Sequence, residues 1–172
     1  ARTFKNLEIV SFEPSTSNLR ILSRNISINN LENSIKIIPF ALNKNKNTFN
    51  KIIESRFIEG GALNIFGEKF DYSGKKISFI DNKYTTFGTN INYLLHEKVL
   101  GIPNYIKIDV DGIEHLILEG GDKFLANQKV RSLSIEINEN FKEQYEIVMN
   151  LMEKNKFKIL HKKQNSDFLF EG

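Results

Sequence analysis

Three acidic side chains, Asp109, Asp111 and Glu114, surround a single glycine, Gly112, where an apolar run ends. The run reads YIKIDVDGIE over residues 105–114, and a helical pattern begins directly after it. In open α/β sheets ligands bind at the carboxyl ends of the strands. Carboxylates are costly to bury alone, so a group of them at such a place reads as a site. Three chemistries suit it: holding an ammonium group, taking a proton as general base, or ligating a hard cation through oxygen. A capping arrangement is the structural alternative, with Asp111 near the helix start and Glu114 three residues on. That alternative leaves Asp109 available. Glu136 ends the next apolar run and lies beside the cluster if the two strands are neighbours. Its structural alternative is pairing with a lysine or arginine.

A fourth acid, Glu13, follows the apolar run LEIVSF and precedes Pro14. An acid at such a strand end can accept hydrogen bonds from both hydroxyls of a nucleotide ribose. It reads equally as a solvated acid or as a charge at a helix N-terminus. His96, His115 and His161 show no metal-ligand spacing and are expected to be structural. The chain contains no Gly-x-Ser-x-Gly elbow, Walker loop or zinc pattern. Gly60-Gly61 reads as a turn.

Alternating elements must position these acids. Residues 7–12 form a short strand, and Pro14 with Ser15, Thr16 and Ser17 supplies N-caps for the helix that follows. Leu19, Leu22 and Ile26 recur on one face of that helix, which Asn29-Asn30 ends. A second strand covers 35–42, with Pro39 near its end. Residues 43–95 are less regular. Within them, 75–80 and 84–87 flank residues 81–83 as a hairpin would, and 92–99 form a short helix. Strand 105–110 leads into a helix with Ile113, Leu116, Ile117 and Phe124 on one face. Gly120 and Gly121 permit its close approach to the sheet. Strand 130–137, helix 142–156 with Tyr145, Val148, Met149 and Met152 inward, and a terminal strand pair at 157–161 and 167–170 complete the order. The pattern predicts an α/β fold with a mostly parallel sheet, helices on both faces and an antiparallel C-terminal hairpin.

The 172 residues make one domain with a real core. Lys and Arg number 24 against 21 Asp and Glu, a net charge of +3 with no basic run. Nucleic acid is therefore not an expected partner. The absence of cysteine excludes disulfides and thiolate chemistry and is compatible with the cytoplasm. No stretch approaches a membrane span and no signal-peptide pattern is present.

Taken together these residues resemble the FkbM family of S-adenosylmethionine-dependent methyltransferases. Residues 10–14 (VSFEP) resemble its FEP strand end, residues 18–30 its helix and Asn-Asn turn, and 39–42 (PFAL) its third strand end. Residues 106–114 (IKIDVDGIE) resemble its IKIDVEGxE signature, with Asp111 in place of the usual glutamate. Leu118, Gly120-Gly121 and Leu125 resemble a following leucine-glycine pattern, and 134–137 (SIEI) resembles its IEI strand. One departure is Asn92, near the place of an aspartate that usually opens the helix before the signature. Another is the family's first strand and glycine-rich D-x-G-A-N-x-G loop, expected before Ala1. On this reading the chain is N-terminally incomplete, residues 1–6 are the tail of a helix, and the segment alone binds cofactor poorly.

The resemblance implies a Rossmann-like methyltransferase sheet of about six strands here, with the first strand missing. It assigns Glu13 and Pro14 to the cofactor ribose, Ala41 and Leu42 to the adenine, and Asp109 and Val110 to the methionine end. The catalytic candidates are Asp109 and Glu114, supported by Asp111 and Glu136. Residues 43–95 become an acceptor-side insertion within a single domain spanning 1–172. The implied cofactor is S-adenosylmethionine and the implied acceptor a sugar or glycan-precursor hydroxyl. No metal site is predicted, and a divalent cation bridging the acids is the competing version. A degenerate, non-catalytic interaction domain and a nucleotide-binding dehydrogenase are the rival functions. A sheet edge lacking its neighbour favours a homodimer.

Overall fold

The computed structural model describes residues 7–54, 58–77, 80 and 82–163. Strand β1 (Ile9–Phe12) runs into helix α1 (Thr16–Ile28), which returns the chain to β2 (Ile35–Ile38). The two strands are parallel, with Phe12 opposite Ile38, as a strand-helix-strand unit requires. Ser15 caps α1 by accepting a hydrogen bond from the Asn18 amide at 3.4 Å. Ile26 is the buried member of the helix's apolar face. Asn30, with φ of 55°, turns the chain out of the helix.

Pro39 divides the expected second strand. Pairing with β1 stops at Ile38, and Ala41–Leu42 (β3) joins a different sheet. That sheet contains β4 (Thr48–Glu54), β5 (Asn64–Phe66) and β6 (Asn82–Thr89) in the order β3-β6-β4-β5. Strand β6 pairs antiparallel with β4 along the whole length of β4, Asn82 opposite Glu54 and Gly88 opposite Thr48. The hairpin expected between 75–80 and 84–87 is therefore corrected. Lys76 instead bridges to Phe70, and residues 78, 79 and 81 lie outside the described residues.

Helix α2 (Ile91–His96), capped by the Asn90 side chain on the Tyr93 amide, leads to β7 (Tyr105–Ile108). After β7 the single expected helix is two: α3 (Glu114–Glu119) and α4 (Asp122–Leu125). Gly120 and Gly121 separate them. A Cβ at Gly120 would stand 2.4 Å from the Asn43 carbonyl oxygen, so the close approach is real and the helix breaks to allow it. Strand β8 (Ser132–Ile135) lies parallel to β7, and α5 (Lys142–Lys154) packs against α3. Ile108, Ile117, Leu118, Phe124 and Val148 lie at the centre of the core, with Ile106, Leu133 and Ile135 packed against them.

The α/β class stands, but the single, mostly parallel sheet does not describe what forms. Among the described residues there are three sheets, two of them parallel pairs and the largest mostly antiparallel. Nor, among the described residues, do helices cover both faces of β7. Even-numbered residues of β7 face the core, whereas Tyr105 is 67% exposed on the other face. The C-terminal hairpin also fails at its first strand. Residues 157–163 form no strand, and Leu160 is 86% exposed. Phe157 packs against the core, but Ile159 and Leu160 are exposed, so the segment has no buried strand face. Residues 167–170, its expected partner, lie outside the described residues. No helix among the described residues is long and apolar enough to cross a membrane.

Candidate active site

The strict two-residue period of β7 decides where its acids go. Ile106 and Ile108 turn inward, so Lys107 and Asp109 project from the open face. The parallel register sets Lys107 opposite Ser134 and Ile108 opposite Ile135. The ladder continues one step, with the Glu136 amide donating to the Ile108 carbonyl at 3.0 Å. Asp109 and Glu136 are thereby adjacent on one face, as neighbouring strands would place them. Their carboxyl groups share a hydrogen bond. That bond, followed by one from Lys107, lowers the Asp109 pKa below its ordinary value. Glu136 is raised, first by the bond to Asp109 and then by burial. The two groups therefore titrate as a pair, with Asp109 pushed down and Glu136 pushed up. Lys107 forms an ion pair with Asp109 at the exposed edge.

The turn after Asp109 depends on Gly112, whose φ of 107° is open to glycine but strained for other residues. A Cβ there would lie 2.8 Å from the Tyr72 Cα and 3.0 Å from the Asp71 carbonyl oxygen. The segment around Tyr72 therefore rests directly on the turn. Asp111 accepts a hydrogen bond from the Asn64 amide at 3.0 Å. Its pKa is raised, chiefly by burial. Helix α3 begins after Ile113 with no side-chain cap, so Asp111 serves the Asn64 loop and not the helix.

Glu114 has turned away from the open face. It is 3% exposed, and its Oε2 accepts a 2.6 Å hydrogen bond from Gln144 Nε2 on α5. Its Oε1 receives longer contacts from the Val110 and Gly112 amides, at 3.3 and 3.5 Å. Burial pushes its pKa up to about 7. Gln144 is itself buried and accepts from the Asn138 amide at 3.0 Å. Glu114 thus braces the acidic turn against α5. Val110, half-buried, packs against the core.

At the other strand end, Glu13 accepts a hydrogen bond from the Ser15 amide at 2.9 Å. Burial raises its pKa, and the nearby charge of Glu54 adds to that. The Pro14 carbonyl lies 3.4 Å from the Tyr84 hydroxyl. Ala41 is buried and Leu42 packs against the core. A chain of hydrogen bonds links this end to the acidic turn. Asn18, one turn into α1, accepts from the Gly60 amide at 2.9 Å and donates to the Gly61 carbonyl at 2.9 Å. Asn64, three residues on, holds Asp111. The segment 60–64 therefore ties the helix behind Glu13 to the Asp111 side of the site.

His115 is buried between Phe70 and Phe141, while His96 and His161 are exposed. Among the described residues no group of three or more His, Asp or Glu side chains is arranged to hold a metal ion. Lys107 escaped the sequence reading although its two-residue offset from Asp109 on a strand was a usable signal. Gln144, Asn64, Glu54 and Tyr84 gave no local signal, because each reaches the site through long-range packing.

A family model described as the methyltransferase FkbM domain matches residues 2–159. No curated protein matches the chain, and no solved structure does.

Proposed function

The chain belongs to the FkbM methyltransferase domain family, and we propose that it is an S-adenosylmethionine-dependent O-methyltransferase acting on a hydroxyl of a sugar or glycan precursor. The observation that carries this reading is the Asp109–Glu136 pair, two carboxyl groups set side by side on an open strand-end face by the β7–β8 register. The residues fit the proposed cofactor. Half-buried Glu13 offers carboxylate oxygens to the two hydroxyls of a ribose, and the Ala41-Leu42 segment would lie beside the adenine. The anionic Asp109, with Val110 beside it, suits an ammonium-bearing methionine end. When bound, the cofactor supplies an electrophilic methyl group.

The chain's own contribution is alignment and proton handling. Asp109 is in the charge state a base needs at neutral pH. Its lowered pKa makes it a weak base, which suits late proton acceptance, when bond formation has made the acceptor hydroxyl acidic. Glu136 stands beside Asp109 as its neighbour on the same face, and Lys107 sets the local positive charge. Asp111 and Gly112 meet the Asn64 and Tyr72 segments, so residues 43–95 form the acceptor side in this reading. In this reading the enzyme acts in the cytoplasm.

The test is methyl transfer from labelled S-adenosylmethionine by the full-length protein to a panel of sugars, sugar nucleotides and glycans. Release of S-adenosylhomocysteine with a carbohydrate acceptor is expected. Cofactor binding without transfer to any of them would reject the acceptor class. No cofactor binding at all would favour the non-catalytic interaction domain.

A further inference from the structure

Glu54 is the most deeply buried carboxylate among the described residues, 1% exposed at the end of β4. No lysine or arginine is paired with it among the described ion pairs. Three neutral donors surround it instead. Ser15 Oγ donates at 2.8 Å, the Tyr84 hydroxyl at 3.1 Å, and Asn82 Nδ2 at 3.0 Å to its other oxygen. Burying a carboxylate without a cation is expensive even when hydrogen bonds compensate. An apolar residue at this sheet position would fill the space at lower cost.

The partners of Glu54 show what the arrangement accomplishes. Ser15 is the cap of α1, fully buried, and its amide is the group that holds Glu13. The Tyr84 hydroxyl, while donating to Glu54, accepts from the Thr16 amide at 2.9 Å. Two successive residues at the start of α1 are thus fixed by one acid on β4 and one tyrosine on β6. These are the residues that set where Glu13 stands.

We propose that Glu54 is a positioning residue for Glu13, acting through Ser15 and Tyr84, so that the β3–β6 sheet builds the ribose side of the cofactor site as well as the acceptor side. The proposal rests on the methyltransferase reading. The same arrangement has an electrostatic consequence. The like charge of Glu54 contributes to the raised pKa of Glu13, after burial. Removing that charge lowers the Glu13 pKa.

The experiment is calorimetric titration of S-adenosylhomocysteine, across a pH series, into full-length wild type, Glu54→Gln and Tyr84→Phe. Carbon-13 carboxyl NMR reports the Glu13 titration in parallel. Binding is expected to weaken about three- to tenfold in both variants, the worth of one ordinary hydrogen bond. In Glu54→Gln the Glu13 titration and the acid limb of binding are expected to move to lower pH, a change a purely structural role would not produce. Wild-type affinity and an unmoved Glu13 titration in a folded Glu54→Gln protein would overturn the proposal. If that variant does not fold, unchanged affinity in Tyr84→Phe overturns it. Absence of binding by wild type itself would overturn the methyltransferase reading and the proposal with it.

Discussion

Asp109 and Glu136 stand side by side at the ends of two parallel strands, and the hydrogen bond between their carboxyl groups pushes the Asp109 pKa down and the Glu136 pKa up. Replacing Asp109 by Asn is expected to lower the turnover of the full-length enzyme about 10²- to 10⁴-fold, the usual worth of a general base. The thermal midpoint should stay near that of wild type, because the side chain lies at an exposed edge. Glu136→Gln retains a donor toward Asp109 and should lose less activity than Glu136→Ala. Equal rates for Asp109→Asn and wild type would reject the base assignment.

Gly112→Ala should damage the turn itself. The φ of 107° and the 2.8 Å approach to Tyr72 leave no room for a methyl group. Strain of this kind costs on the order of 1–3 kcal/mol, to which the clash adds. Chemical denaturation should show that loss, accompanied by reduced activity. A variant as stable as wild type would mean that the Tyr72 segment does not rest on the turn.

Glu114 should make stability pH-dependent in a defined direction. Its folded pKa, about 7, lies above the ordinary value of 4.5. Between those values the folded chain binds the extra proton, so this contribution is fully present below about pH 4.5 and is lost as pH rises through about 7. Glu114→Gln removes that slope. It also turns an amide donor toward the Val110 and Gly112 amides or toward Gln144, costing about 1–3 kcal/mol at acidic pH. Denaturation midpoints of both proteins from pH 4 to 8 read the difference. Parallel curves would contradict the buried placement of Glu114.

His115 should act in the opposite sense. Burial lowers its pKa from 6.5, and its ring sits against Phe141 at 5.6 Å and Phe70 at 6.4 Å. Glu119 and Glu143 oppose that shift while Lys44 adds to it. Here the unfolded chain binds the extra proton, so the contribution is present above about pH 6.5 and is lost as pH falls below it. His115→Phe should flatten the acid side of the stability profile. An unchanged acid side in that variant would show that His115 is protonated in the fold.

Much of this arrangement was legible in the residues themselves. The Ser15 cap, the α1 face at Ile26, the α5 face at Val148 and the neighbourhood of Asp109 and Glu136 all follow from local period and strand adjacency. The pairing of β6 with β4 was not legible. Alternating residues at 75–87 fit a local hairpin equally well, and only packing chooses the distant partner. Pro39 announced the end of pairing but not the change of sheet. The inward turn of Glu114 was hidden because its partner, Gln144, lies 30 residues away on another helix. For the same reason Glu54 and Tyr84 had no signature beside Glu13.

Calorimetry on the full-length protein shows whether this site serves S-adenosylmethionine chemistry. Titration with S-adenosylhomocysteine should show saturable one-to-one binding that Glu13→Ala weakens about tenfold or more, a loss of at least one ribose hydrogen bond to a charged group. Absence of binding, or binding indifferent to Glu13, would contradict the account.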